Sequence, residues 1–84
     1  MTPLKMDILR EHLAMANRHI ADGNLVVTRQ RELIARFEAD GHDARLALAL
    51  LARFEDLLAE HLSHRDRLLE EVRSVEDRHD VSAT

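Results

Sequence analysis

A single break near the middle of the chain constrains its fold more than any other feature. The segment Asp40-Gly41-His42-Asp43 interrupts about seventy residues whose apolar positions otherwise follow helical spacing. Gly41 accepts the left-handed backbone conformation that ends many helices, and Asp43, or His42 in its place, suits the cap of a second helix. The sequence therefore predicts a helical hairpin.

The bounds of this hairpin follow from capping signals and from the break. Thr2 can cap a helix, and Pro3 suits a first helical position because its missing N–H costs nothing there. We expect helices over about residues 3–40 and 44–76, a turn at 40–43 and a frayed tail over 79–84. A single hairpin domain over about residues 1–78 is consistent with a chain of 84 residues.

Apolar residues recur at alternating steps of three and four in both halves of the chain. Eight of ten such positions from Met6 to Phe37 are apolar, and so are seven of nine from Ala47 to Val75. This repeat of 3.5 residues predicts two helices that pack along their length in a common seam. The predicted seam and core residues are Leu13, Ile20, Val27, Ile34, Phe37, Leu51, Phe54, Leu58 and Leu68.

The apolar surface is wider than the one contact line of a hairpin. Further apolar residues flank the seam on both helices: Ile8, Met15, Val26, Leu33, Leu46, Leu48, Leu50, Leu57, Leu62 and Leu69. Exposed apolar surface on this scale marks an interface, and closed two-fold symmetry is the commonest assembly. We expect a homodimer in which two hairpins form an all-α four-helix bundle, with a trimer, a tetramer or another protein partner as alternatives. The relative direction of the two hairpins stays open.

Composition and charge exclude several other classes of protein. The chain has no cysteine, so disulfides and thiolate metal sites are impossible. Residues 43–80 carry six basic and ten acidic side chains, which argues against a nucleic-acid partner. The longest apolar run, residues 46–52, is too short to span a membrane, and the charged N-terminal segment does not resemble a signal peptide. A cytoplasmic protein without nucleic-acid or membrane partners is expected.

Histidine is the residue type that suggests chemistry. His61 and His64 share a helix face, and an antiparallel hairpin that turns at 40–43 places His19 near His64 and Asp22 near His61. These four side chains are ligands that suit zinc, nickel or copper, although a cofactor is not otherwise expected. Alternatively, His61 is a hydrogen-bonded seam residue opposite Gly23, and His19 and His64 keep their ring edges in water.

Two other seam positions are unusual for a helix. Gly23 costs about 1 kcal/mol relative to alanine, which indicates either the close approach of the second helix, with His61 filling the space, or a mild bend. Gln30 either fixes the helical register through a buried amide or reaches solvent at the edge of the bundle.

Several segments together resemble a group of short alphaproteobacterial proteins typical of rhizobia and their relatives. They lie at residues 19–23, 29–34, 40–43, 54–55 and 61–69, and include the turn Asp40-Gly41-His42-Asp43. The resemblance covers about residues 12–72. It implies a bacterial, cytoplasmic origin, and it brings no activity, cofactor or partner with it.

The sequence favours a protein without catalytic activity. Ser63 lies between two histidines, but adjacent residues on a helix do not face each other, and no loop is available to form an oxyanion hole. The expected role is that of a helical interaction or regulatory module that acts as a homodimer. The alternatives are a transition-metal-binding protein that uses His19, His61, His64 and Asp22, and an accessory subunit of another protein.

Overall fold

The chain folds as two helices that lie side by side. The structure is a computed structural model that describes residues 4–83 and the side-chain environments of residues 4–78. Helix α1 spans Lys5–Ala39 and helix α2 spans Arg45–Ala83. The helices run antiparallel and form a thin body of 67 × 24 × 14 Å. The predicted all-α helical hairpin is confirmed.

The break at Gly41 forms a Schellman motif that closes α1. Gly41 has a φ of 74°, and its N–H donates a hydrogen bond to the carbonyl of Glu38 at 3.2 Å. The N–H of His42 donates to the carbonyl of Phe37 at 2.8 Å. The two rings of His42 and Phe37 meet edge to face with their centroids 6.1 Å apart. This contact supplies the side-chain packing that usually accompanies the motif.

Asp43 caps the second helix, as its position after the turn predicted. Its Oδ1 accepts a hydrogen bond from the backbone N–H of Arg45 at 3.0 Å, and its Oδ2 accepts one from the guanidinium of Arg45 at 2.7 Å. The side-chain hydrogen bond and then the backbone hydrogen bond from Arg45 lower the pKa of the Asp43 carboxyl. The chain therefore enters α2 through a carboxylate that satisfies a free backbone donor.

The outer ends of the helices differ from the expected bounds. Leu4 precedes α1 in an extended conformation, and its carbonyl accepts the first helical hydrogen bond from Ile8. The cap expected at Thr2 and the helix start expected at Pro3 lie outside the described residues. Helix α2 continues to Ala83 rather than ending near Glu76 with a frayed tail from 79, because no glycine or proline interrupts residues 77–83.

Two clusters of buried apolar residues lie near the two ends of the hairpin. Leu9, Ala16 and Leu68 form a buried cluster toward the open end, and Ile34 packs with Ala44 and Ala47 beside the turn. Among the predicted core residues, the buried ones are Ile20, Val27, Ile34 and Leu68, and the half-buried ones are Leu13, Phe37, Leu51, Phe54 and Leu58. Ala44 was not predicted. Among the residues that the structure describes, no large side chain is fully enclosed.

Replacing Gly41 by alanine should destabilise the protein by about 1 kcal/mol, because an L side chain is strained at a positive φ. Nothing lies within 4 Å of the position that a Cβ would take, so steric crowding would not contribute. The Gly41→Asn variant is the matched control and should lose less stability, since asparagine adopts this conformation more readily. Urea unfolding at one protein concentration measures both. Equal stability of Gly41→Ala and the natural chain would contradict the prediction.

Removing the cap in an Asp43→Ala variant should lower the melting temperature at neutral pH. Because the pKa of Asp43 is lower in the folded state than in the unfolded chain, its stabilising effect is present above the unfolded pKa, near 4. The effect disappears as the pH falls through the folded value. Melting curves from pH 7 to pH 2 should therefore show the gap between the two proteins closing only at the acid end. A constant gap over the whole range would count against this account.

Candidate functional site

Two adjoining concavities on one face of the hairpin form its main candidate site. The first is lined by His19, Asp22, Gly23, Val26, Phe54, Leu57, Leu58 and His61. The second is lined by His12, Met15, Ala16, His19 and His64. Since His19 belongs to both, we call the two concavities together the groove, which extends from His12 to Val26 on α1 and from Phe54 to His64 on α2.

Heptad spacing explains why these residues share one face. His12, His19 and Val26 are seven residues apart on α1, and Leu57 and His64 are seven apart on α2. Each series lies immediately beside the seam, and antiparallel packing brings the two series to the same side of the hairpin. The groove is therefore a consequence of the 3.5-residue repeat and of the direction of α2.

The groove presents apolar side chains to solvent. Met15, Val26 and Leu57 are 47%, 41% and 51% exposed, although each is apolar and borders the seam. Ile8 and Leu33 extend the same stripe along α1 by helical spacing. Elsewhere on the hairpin, the two helices are bridged by an exposed ion pair between Arg31 and Glu55 at 3.9 Å. Exposed apolar side chains grouped in this way, here among His12, His19 and Asp22, are typical of interaction surfaces.

The structure brings the predicted histidines together in an altered pairing. The rings of His19 and His61 meet across the helices, with centroids 5.2 Å apart and planes tilted by 44°. His64 was expected to face His19, and it lines the second concavity with His19 but makes no such ring contact. Asp22 and His61 line the first concavity together. The ring of His19 contacts His61 and not His64 because His61 lies in the seam and is half-buried, whereas His64 lies beside the seam and is exposed.

One hairpin does not by itself assemble a metal site from these side chains. Over the residues that the structure describes, no three histidine, aspartate or glutamate side chains converge as candidate ligands. Each chain brings two imidazoles into contact, while structural zinc takes four ligands. Metal binding by His19, His61, His64 and Asp22 stays a prediction.

Gly23 lies where the two helices approach closely, which is the first of the two explanations that its sequence position suggested. A Cβ at this position would lie 3.1 Å from Cδ1 of Leu58. The side chain that occupies the space is therefore Leu58, whereas the sequence suggested His61. Leu58 and His61 are consecutive seam positions in the repeat, so the sequence alone does not tell which of them packs against Gly23.

Gln30 makes a hydrogen bond between the two helices beside the turn. Its side-chain amide donates a hydrogen bond to the backbone carbonyl of Ala47 at 2.9 Å, and Gln30 is half-buried. A polar group at a seam position that finds its partner on the opposite helix favours one alignment over others. This observation supports the register role over the solvent-exposed alternative.

Comparisons with known protein families, with curated proteins and with solved structures found no significant match to this chain. Within residues 4–83, neither helix contains a segment that is long and apolar enough to cross a lipid bilayer.

A double-mutant cycle tests the contact between Gly23 and Leu58. In the natural chain, Gly23→Ala should change stability by less than about 0.5 kcal/mol, because crowding against Leu58 offsets the helix propensity that alanine gains. In a Leu58→Ala background, the same change should stabilise by about 1 kcal/mol. Urea unfolding at fixed protein concentration gives both values. The same increment in both backgrounds would show that the two residues are not coupled.

Proposed function

We propose that this protein is a non-catalytic interaction module that acts as a homodimer, in which the grooves of two hairpins face each other in a four-helix bundle. The exposed apolar strip of the groove carries this proposal. A hairpin has one contact line, and the side chains beside that line remain in water unless another surface covers them. A regulatory role would follow from what the assembled bundle binds or releases.

The size of the groove face suits a stable dimer. Ile8 and Leu33 are separated on α1 by about 38 Å at the rise of an α-helix. Over this stretch the hairpin is 24 Å wide. A second hairpin of the same length therefore covers the strip from end to end without any further chain.

The charges at the rim of the groove suit a second copy of the same chain. Asp22 and Arg29 are seven residues apart on α1, and Glu60 and Arg67 are seven apart on α2. Each helix thus carries both signs of charge at equivalent heptad positions beside the groove. A face that carries both signs of charge avoids the uniform repulsion that a face of one sign would meet in its own copy.

A charge placed in the groove tests the dimer. Leu57→Glu should weaken dimerisation by at least about 100-fold, because it buries a carboxylate that has no partner. Leu25→Glu is the matched control: Leu25 is 48% exposed, close to the 51% of Leu57, but it does not line the groove. Sedimentation velocity measures the mass of each protein against the 9.7 kDa of one chain. Circular dichroism checks that both variants stay helical.

The control variant and the natural chain should both sediment at twice the mass of one chain at micromolar concentration. An ordered monomer of the natural chain would overturn the proposal. A dimer that Leu25→Glu weakens as much as Leu57→Glu does would place the interface elsewhere. If the natural chain is monomeric alone but forms a stoichiometric complex in its host, it is an accessory subunit of another protein instead.

A further inference from the structure

We infer that His19 and His61 from two copies of the chain form a shared zinc site at the centre of the bundle. The inference rests on the proposed dimer, since each copy provides only half of the ligands. Within one chain, the two rings already meet across the seam with centroids 5.2 Å apart. Zinc binds histidine nitrogen at about 2.0–2.1 Å, so small rotations of these side chains bring one nitrogen of each ring to a common ion.

Both rings lie where a second copy reaches them. His19 is exposed and borders both concavities of the groove, and His61 is half-buried in the first of them. The pair is located between the two apolar clusters at the ends of the hairpin, near Gly23. The facing groove of another hairpin therefore meets imidazole edges at this point.

Two-fold symmetry brings His19 and His61 of both copies to the same height in the bundle, whether the two hairpins run parallel or antiparallel to each other. If the hairpins are parallel, the axis runs along the bundle and each residue stays level with its own copy. If they are antiparallel, the axis crosses the middle of the buried strip. The apolar stripe of α1 runs from Ile8 to Leu33, and its midpoint lies beside Ile20, the residue after His19. His19 then meets its copy in this arrangement as well.

The chemistry of the layer fits zinc. A structural zinc ion takes four ligands in a tetrahedron, and the chain has no cysteine, so an all-nitrogen set is the one that the layer provides. Once the grooves are covered, each imidazole lone pair needs a partner, and a metal ion satisfies four of them. Asp22 lies three residues from His19 and lines the same concavity, and a carboxylate is a common acceptor for the second ring N–H of a zinc-bound histidine.

Zinc binding to metal-free protein tests the site. Isothermal titration with Zn²⁺ should give one ion for every two chains, and Zn²⁺ should strengthen dimerisation at least about tenfold through linkage. His19→Ala and His61→Ala should each weaken zinc binding by more than about 100-fold, because losing even a supporting residue of a metal site costs 10–100-fold. His42→Ala is the control, since His42 lies in the turn and lines neither concavity.

The outcomes separate this inference from the proposed dimer. A dimer that binds no zinc, or that binds it equally well without His19 and His61, overturns the zinc site and leaves the dimer intact. One zinc ion bound per monomer overturns the shared site. A chain that stays monomeric with and without Zn²⁺ overturns the proposed function itself. Because His19 is exposed, its replacement should leave the fold intact. Circular dichroism of His19→Ala therefore shows whether a loss of zinc binding comes from the missing ligand or from unfolding.

Discussion

The single line of contact between two antiparallel helices is the constraint on which the rest of this structure depends. Two helices side by side make a body only 14 Å thick, and within the described residues no large side chain is fully enclosed. Hydrophobic burial is the main favourable term in folding, and a hairpin can bury only the residues that face its seam. The apolar side chains beside the seam, such as Val26 and Leu57, therefore remain available to a partner.

The seam is not uniform along its length, and its variation locates the candidate site. Apolar clusters hold the helices together near the open end and beside the turn. Between them, Gly23 permits a close approach by Leu58, and His19 meets His61. The central part of the hairpin thus places imidazole groups that a second copy can reach beside the buried Ile20 and Val27. A dimer would place these groups at the middle of its own interface.

Much of the fold followed from the order of the residues because the interactions that produce it are local. The Schellman motif needs a glycine after the last helical turn, and Asp43 caps the helix that begins two residues later. The seam residues followed from the 3.5-residue repeat. The pairing of His19 with His61 did not, since a shift of one helical turn in register leaves the repeat unchanged. The same ambiguity hid the role of Leu58 beside Gly23.

The sequence by itself determined two helices, one turn, one apolar seam and a surplus of apolar residues beside it, because helical periodicity and backbone conformation depend on near neighbours. Only the tertiary structure decided which residues meet across the seam. That choice depends on the detailed packing of Leu58 against Gly23 and on the hydrogen bond from Gln30 to Ala47, both of which join residues far apart in the chain. Contacts of this kind are set by the fit of two whole helices, which no local pattern contains.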